Sequence, residues 1–523
     1  ISSGGSIGDA TYTNEKEKST DWDGDWLSGT TVDEGVWYSE IFIPWSIAPM
    51  KKQNGDRRNV KIAFYRMLAG YSRVIATIKG SPYQNVYMSV FDDFDFKNYS
   101  SSKIDFFPYL TLNNDRLENE TDTKSGAEIF WKIDSSKQLN AAINPDFGQV
   151  ESDDVVVNFS ATETFYSDKR PFFSENQSLF NVKGNMFRII NTRRIGAAPD
   201  YDCTKFENAE RNYCLENKKS SNDIDVAIRY TQQLENFDIG VLGAFEADEK
   251  FSEGKDFYAF RLRTKKNNFS IGYLGTHVKQ PIFNDSATVH SVDMEYRPSR
   301  SHRFTNNLIV TNASEEKGYG FSLGYGYDPD QTFHSGLGIH YFDDNFDIND
   351  MGYQPRNDFF MISGRTQFKS TDFSKTSILR ARLYEIGYGI KANSSFDNEP
   401  INFALKIENS LRNTSEFKGE IFYRSSGRDH RITRNSSLSP FIKMPKGKGL
   451  ELEYVGPYDE FFTYKFELDR KEGGEHSKAL DWRTTYSGYM KIAPRDNMSF
   501  SAFHKRTEEN NWLNWLQDNL LGT

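Results

Sequence analysis

The chain has 523 residues and a formal net charge of −10, with its 64 Lys and Arg residues scattered, which argues against a nucleic-acid partner. Mean hydropathy is −0.69 and no apolar run approaches the ~18 residues of a membrane helix, so helical spans are excluded, whereas membrane β-strands need only about 10 residues of alternation. Aromatics make up 15% of the chain, with 42 Phe, 28 Tyr and 37 Gly, a balance suited to strands with one aromatic and one small or polar face rather than to a Leu-rich soluble core.

Ile1-Ser2-Ser3-Gly4-Gly5 carries no signal-peptide pattern and is read as a mature or truncated start. Residues 1–97 form the first block. The run from Gly35 to Trp45 alternates, with Val36, Tyr38, Glu40 and Phe42 on one face and Trp37, Ser39, Ile41 and Ile43 on the other; Val60–Arg66 reads as the next strand. Short strands with polar turns predict a β-sandwich. Asp21, Asp23 and Asp25 read as a solvated turn rather than a calcium site, and no metal centre is expected.

The pattern Trp22-Asp23-Gly24…Trp26, then Gly35-x-Trp37-x-x-Glu40-Ile41-x-Ile43-Pro44-Trp45, then Ile62-Ala63-Phe64-Tyr65-Arg66, resembles the C-terminal half of family 9 carbohydrate-binding-like domains. The resemblance implies sugar binding by exposed aromatics. Trp37 suits a core position, and Trp22 and Trp26 are the candidate sugar contacts.

Residues 98–125 read as a polar linker that includes one short strand, Ile104 to Leu112, and residues 126–523 as strands throughout. Gly126–Ile133 and Gln138–Asn144 form a hairpin feeding the stretch 144–173. There Asp146, Glu151, Asp153, Lys169 and Arg170 crowd together. The dense charge reads as an ion network fixing a turn at the junction or inside the lumen, with a constriction or plug as its functional counterpart. Cys203 and Cys214 share a polar loop; they read as a disulfide of an oxidising compartment, the alternative being two unpaired thiols.

Beyond this point the alternation is regular. Tyr258, Phe260 and Leu262 oppose Ala259, Arg261 and Arg263. Tyr319, Phe321, Leu323, Tyr325 and Tyr327 oppose Gly320, Ser322, Gly324 and Gly326. His334, Gly336, Gly338 and His340 oppose Phe333, Ser335, Leu337, Ile339 and Tyr341. Phe462, Tyr464, Phe466 and Leu468 oppose Thr463, Lys465, Glu467 and Asp469. Aromatic faces recurring without helices to cover them predict a closed antiparallel sheet of about 20 strands, aromatic side to lipid and charged side to a wet lumen. Long polar connections such as Ala197 to Asn222 and Asp343 to Asp358 are expected to be outer loops.

The series Asn144-Pro145-Asp146-Phe147-Gly148-Gln149-Val150-Glu151-x-Asp153, Asn158-Phe159, Glu163-Thr164-Phe165, Lys169-Arg170-Pro171-Phe172-Phe173 and Arg193-Arg194-Ile195-Gly196 is similar to a large domain of unknown function that follows family 9 modules in Gram-negative bacteria. Ser167-Asp168 stands where that family has Pro-Glu, so the carboxylate is kept. The resemblance implies an outer-membrane β-barrel, with last strands expected beyond Thr523. The expected class is therefore all-β: a partial N-terminal β-sandwich, placed in the periplasm, followed by a transmembrane barrel. Its candidate roles are pore, translocation channel or receptor, a barrel-anchored carbohydrate-binding accessory protein, or, through the association of family 9 modules with such enzymes, a glycoside hydrolase. No nucleophile elbow, zinc-protease or phosphate-loop motif occurs, and the chain is read as a non-enzyme without cofactors. Outer-membrane lipid, carbohydrate and other envelope proteins are the candidate partners.

Overall fold

A computed structural model describes the chain except for residues 3, 14, 16, 21, 23, 54, 69–72, 79–86, 100–101, 116–119, 146–162, 176, 185, 284, 398, 430–441, 458–461, 473–479, 494–495 and 509–523. Nineteen strands make one antiparallel sheet. They are β1 (Lys103–Asp115), β2 (Glu120–Asp134), β3 (Lys137–Ile143), β4 (Ile224–Gln233), β5 (Phe237–Glu246), β6 (Asp256–Lys266), β7 (Phe269–Gln280), β8 (Asp285–Ser299), β9 (His302–Ala313) and β10 (Glu316–Tyr327). They continue as β11 (Phe333–Phe342), β12 (Phe359–Ser370), β13 (Leu379–Ala392), β14 (Asn402–Leu411), β15 (Glu416–Arg424), β16 (Gly447–Val455), β17 (Phe462–Glu472), β18 (Leu480–Ala493) and β19 (Asp496–Glu508). Each strand pairs with its chain neighbour, and the order returns from β19 to β1, the order of a closed barrel.

The sheet begins earlier than its composition suggests. β1 pairs with β2 from Lys103↔Lys132 to Asp115↔Glu120, so residues read as a linker belong to the wall. Polar residues at 113–125 hid this, because a barrel strand needs apolar side chains only where it meets lipid.

The two faces separate as the alternation requires. Val241, Phe260, Leu308, Tyr319, Ile421 and Phe466 are exposed on the outer face, whereas Asp238, Leu242, Ala259, Arg261 and Ser322 are buried inside. The register enforces this split, because a one-residue slip would turn every apolar side chain into the lumen.

The longest connections gather at one end of the sheet. Asp134–Lys137, Lys266–Phe269 and Ser299–His302 are tight; the opposite end carries the insertion between β3 and β4 and the loop between β11 and β12. Residues 1–97 lie at the tight-turn end. The Met50 N–H donates to the Ser135 carbonyl (2.6 Å), the Lys52 N–H to Gln233 (3.2 Å), and Arg297 pairs with Glu15 (2.8 Å).

Among the described residues this block is not the expected sandwich. It comprises four separate two-stranded ribbons: Thr11–Thr13 with Glu17–Ser19, Leu27–Asp33 with Val36–Phe42, Arg57–Ile62 with Asp92–Lys97, and Tyr65–Leu68 with Arg73–Ala76. A two-stranded ribbon cannot bury a face, and Leu27, Tyr38, Phe42, Phe64 and Met67 stay exposed.

The occupied lumen as candidate functional site

Two segments fold into the barrel: one overlaps the stretch 144–173, expected at the junction or in the lumen, and the other was expected to be an outer loop. The first is the described part of the insertion between β3 and β4, residues 163–196. Pro171 opens a single helical turn, Pro171–Ser174, that buries Phe172 and Phe173; its fixed φ suits the first helical position. Phe172, Phe173, Ile189 and Ile195 join one core with the wall residues Ala142, Ala227, Ala244 and Ala259. Small inward wall residues make room for large inserted ones. At Gly240 a side chain would meet Phe180 at 2.6 Å and Leu179 at 3.0 Å, so only glycine allows this approach. Arg261 donates to the Leu179 carbonyl (3.1 Å), and Arg229 lies over the Phe172 ring at 5.3 Å.

The second segment is the loop between β11 and β12, 343–358. It does not project outward as expected, because Phe346, Ile348 and Met351 are buried in the same core. Burying each of these is worth about 1.5–3 kcal/mol, more than a solvated loop could recover by staying outside. The segments meet through a two-way backbone pair, Arg188 with Tyr353, both bonds 2.8 Å. The Asn191 N–H donates to Met351 O (2.7 Å), Arg194 Nε to Gly352 O (3.1 Å), and Tyr353 Oη to Glu163 O (2.8 Å).

Arg170 holds the first segment together. Its guanidinium grips Asp168 through Nε (2.9 and 3.1 Å) and Nη2 (2.6 Å), and donates to the carbonyls of Thr192 (2.6 Å) and Ile195 (2.8 Å). It also lies 4.2 Å over the Phe173 ring. Thr192 Oγ1 donates to Asp168 at 2.7 Å. Burial pushes the Asp168 carboxyl up, but the Arg170 bonds and charge, with Thr192, outweigh it and hold the group below its ordinary value.

The sequence-selected residues divide accordingly. Arg170 is central, and Lys169 is half-buried next to Asp168. Asp146, Glu151 and Asp153 lie outside the described residues. Asp168, not grouped with the network from sequence, is its key acid; its two-residue spacing from Arg170 was the available signal. Cys203 and Cys214 are bonded to each other (Cα–Cα 5.8 Å). Their loop is not wholly irregular, since it contains the helix α1, Asn208–Glu216. Trp26 Nε1 donates to Asp9 (3.0 Å), a structural engagement, whereas Trp22 lines a chamber at the tight-turn mouth.

Two adjoining cavities, each of about 540 Å³, remain between the first segment and the wall, sharing residues such as Leu179, Lys183, Arg263 and Glu295. The deeper one carries His334 and His340 on its wall. These do not pair with each other: His334 binds Asp328, and His340 Nδ1 meets Ser322 Oγ at 2.8 Å.

Residues 101–252 and 263–520 match the domain of unknown function DUF5916. The chain belongs to this family. No curated protein matches the DUF5916 chain. Among solved structures it is similar to OccAB2 of Acinetobacter baumannii and OccK10 (OpdN) of Pseudomonas aeruginosa, each at 8% identity over 55% of this chain, with TM-scores of 0.30 and 0.29 and 87% and 90% of those chains covered. The CymD monoaromatic hydrocarbon channel also matches, at 8% identity and TM-score 0.17, covering 55% of this chain and 79% of that one.

Proposed function

We infer that this DUF5916 chain is an outer-membrane β-barrel that acts as a constricted channel rather than as an enzyme. One observation carries this reading: a sheet whose outer face is apolar and aromatic surrounds a polar interior that two infolded segments narrow but leave partly hollow. All strands except the seven-residue β3 have nine or more residues, enough for tilted crossing of a bilayer. In bacterial barrels the short turns face the periplasm, which supports the reading that the N-terminal block lies on that side. Trp22 favours a second reading, a sugar contact at the periplasmic mouth, because it lines the chamber while Trp26 is engaged elsewhere.

The test is conductance in planar bilayers, with Gly352→Val as the perturbation. A side chain at Gly352 would sit 2.6–2.8 Å from the carbonyls of Ile348, Arg188 and Ile189, all backbone. Overpacking of about 1–3 kcal/mol should part the two segments and enlarge the unit conductance. A folded, heat-modifiable protein that passes no current in either form would refute the channel.

A further inference from the structure

The chamber at the tight-turn mouth has a charge balance opposite to that of the chain. Seven cationic side chains line it against two acids, Glu15 and Glu295, among its described residues, in a protein of net charge −10. The cations come from three sources. Arg263 and Lys265 point inward from β6 and Arg297 from β8, Lys183 and Arg188 come from the infolded segment, and Lys18 and Lys51 from the N-terminal block. Arg297 pairs with Glu15 and Glu295 (both 2.8 Å), and Arg263 with Asp238 (2.7 Å), yet the charges of Arg297, Lys51 and Arg263 all bear on Lys265. A site that gathers like charges is poised for a ligand that brings acceptors.

We propose that this chamber is a binding site for a compact polyvalent oxyanion, held between the inward cations of β6 and β8 and Lys51 of the N-terminal block. The oxyanion supplies two or more carboxylate or phosphate groups, which bridge wall and N-terminal block. Trp22 lines the chamber, so occupancy should alter its emission. The site does not depend on whether the barrel conducts.

The test is equilibrium titration of the full chain in detergent, by calorimetry and tryptophan fluorescence, with citrate and pyrophosphate as probes and sucrose as the uncharged comparison. Both anions, or one if the site distinguishes carboxylate from phosphate, should bind saturably with one-to-one stoichiometry and weaken as salt rises. Lys51→Gln combined with Lys265→Gln should weaken binding about tenfold or more, as for loss of two charge contacts in a confined site. Lys375→Gln, an exposed lysine away from the chamber, should change nothing. Because Lys265 stands among like charges, the double variant should keep the heat-modifiable fold; Lys51→Ala alone, altered outside the barrel wall, is the second variant. Absence of saturable binding, binding untouched by both variants, or sucrose binding equal to that of the anions would each overturn the proposal.

Discussion

Replacing Arg170 by alanine removes a cation that closes five hydrogen bonds from its side chain: three to Asp168 and one each to the Thr192 and Ile195 carbonyls. The Asp168 side chain is 3% exposed and that of Arg170 13%, so little water replaces what is lost. Breaking a buried ion pair by deleting one partner costs about 3–5 kcal/mol, and each stranded carbonyl about 1–3 kcal/mol where water does not reach it. These terms overlap, and about 3–5 kcal/mol is the expected total. At about 1.4 kcal/mol per decade that is roughly a 10²- to 4 × 10³-fold shift in the docking equilibrium of residues 163–196. The strand ladders do not pass through Arg170, so the loss should fall on the infolded segment. Limited proteolysis in detergent should show new cleavage between 163 and 196 while heat-modifiable migration persists. Arg170→Lys, which keeps the charge but not the fork, should fall between. Unchanged proteolysis and thermal transition in Arg170→Ala would show that the segment is held by apolar packing alone.

Three further outcomes follow from the same geometry. Asp168 has a depressed folded-state pKa, so its contribution is complete above the ordinary value near pH 4 and is lost as pH falls below it; proteolysis of 163–196 should rise in acid, and Asp168→Asn should be weakened at neutral pH and insensitive to acid in that window. Burial and the neighbouring Asp347 charge push Asp350 up, so its ionisation weakens the loop 343–358 as pH rises; Asp350→Asn should raise the thermal midpoint at neutral pH, and a lowered midpoint would contradict this. Replacing Cys203 and Cys214 by serine should free residues 197–222 to hydrogen exchange, at about 3 kcal/mol for a loop of this size, without moving the barrel's own unfolding transition.

The barrel was legible because its signal is local. In β6, Tyr258, Phe260 and Leu262 stand outside and Ala259 and Arg261 inside, as a period of two requires. What escaped was long-range. Asp343–Asp358 is polar at its ends, and its buried residues Phe346, Ile348 and Met351 are spaced too irregularly to declare a face. Their partners, Phe187 and Ile189, lie more than 150 residues away, beyond the reach of any local pattern. The N-terminal block failed in the opposite sense. The alternation around Trp37 correctly marks a strand, yet it cannot tell a sandwich core from an isolated hairpin, because both alternate. Trp37 is half-buried under Arg66, 5.3 Å from its ring, rather than between two sheets.

The two sides of the wall explain where the infolded segments sit. From β3 to β12 the inward positions are small or apolar where packing demands it: Ala142, Ala227, Ala244, Ala259, and Gly320, where a side chain would meet Phe342 and Phe346 at 2.7 Å. From β14 to β17 they form a ladder of charge instead. Lys406 pairs with Glu408 (2.6 Å), Lys418 with Glu453 (3.0 Å), and Lys465 with Glu453 (2.7 Å) and Glu467 (3.2 Å). A charged ladder cannot receive Phe172 or Phe346 without losing its water, at several kcal/mol per ion. The described residues of the infolded segments accordingly pack against the first sector and not against the charged second.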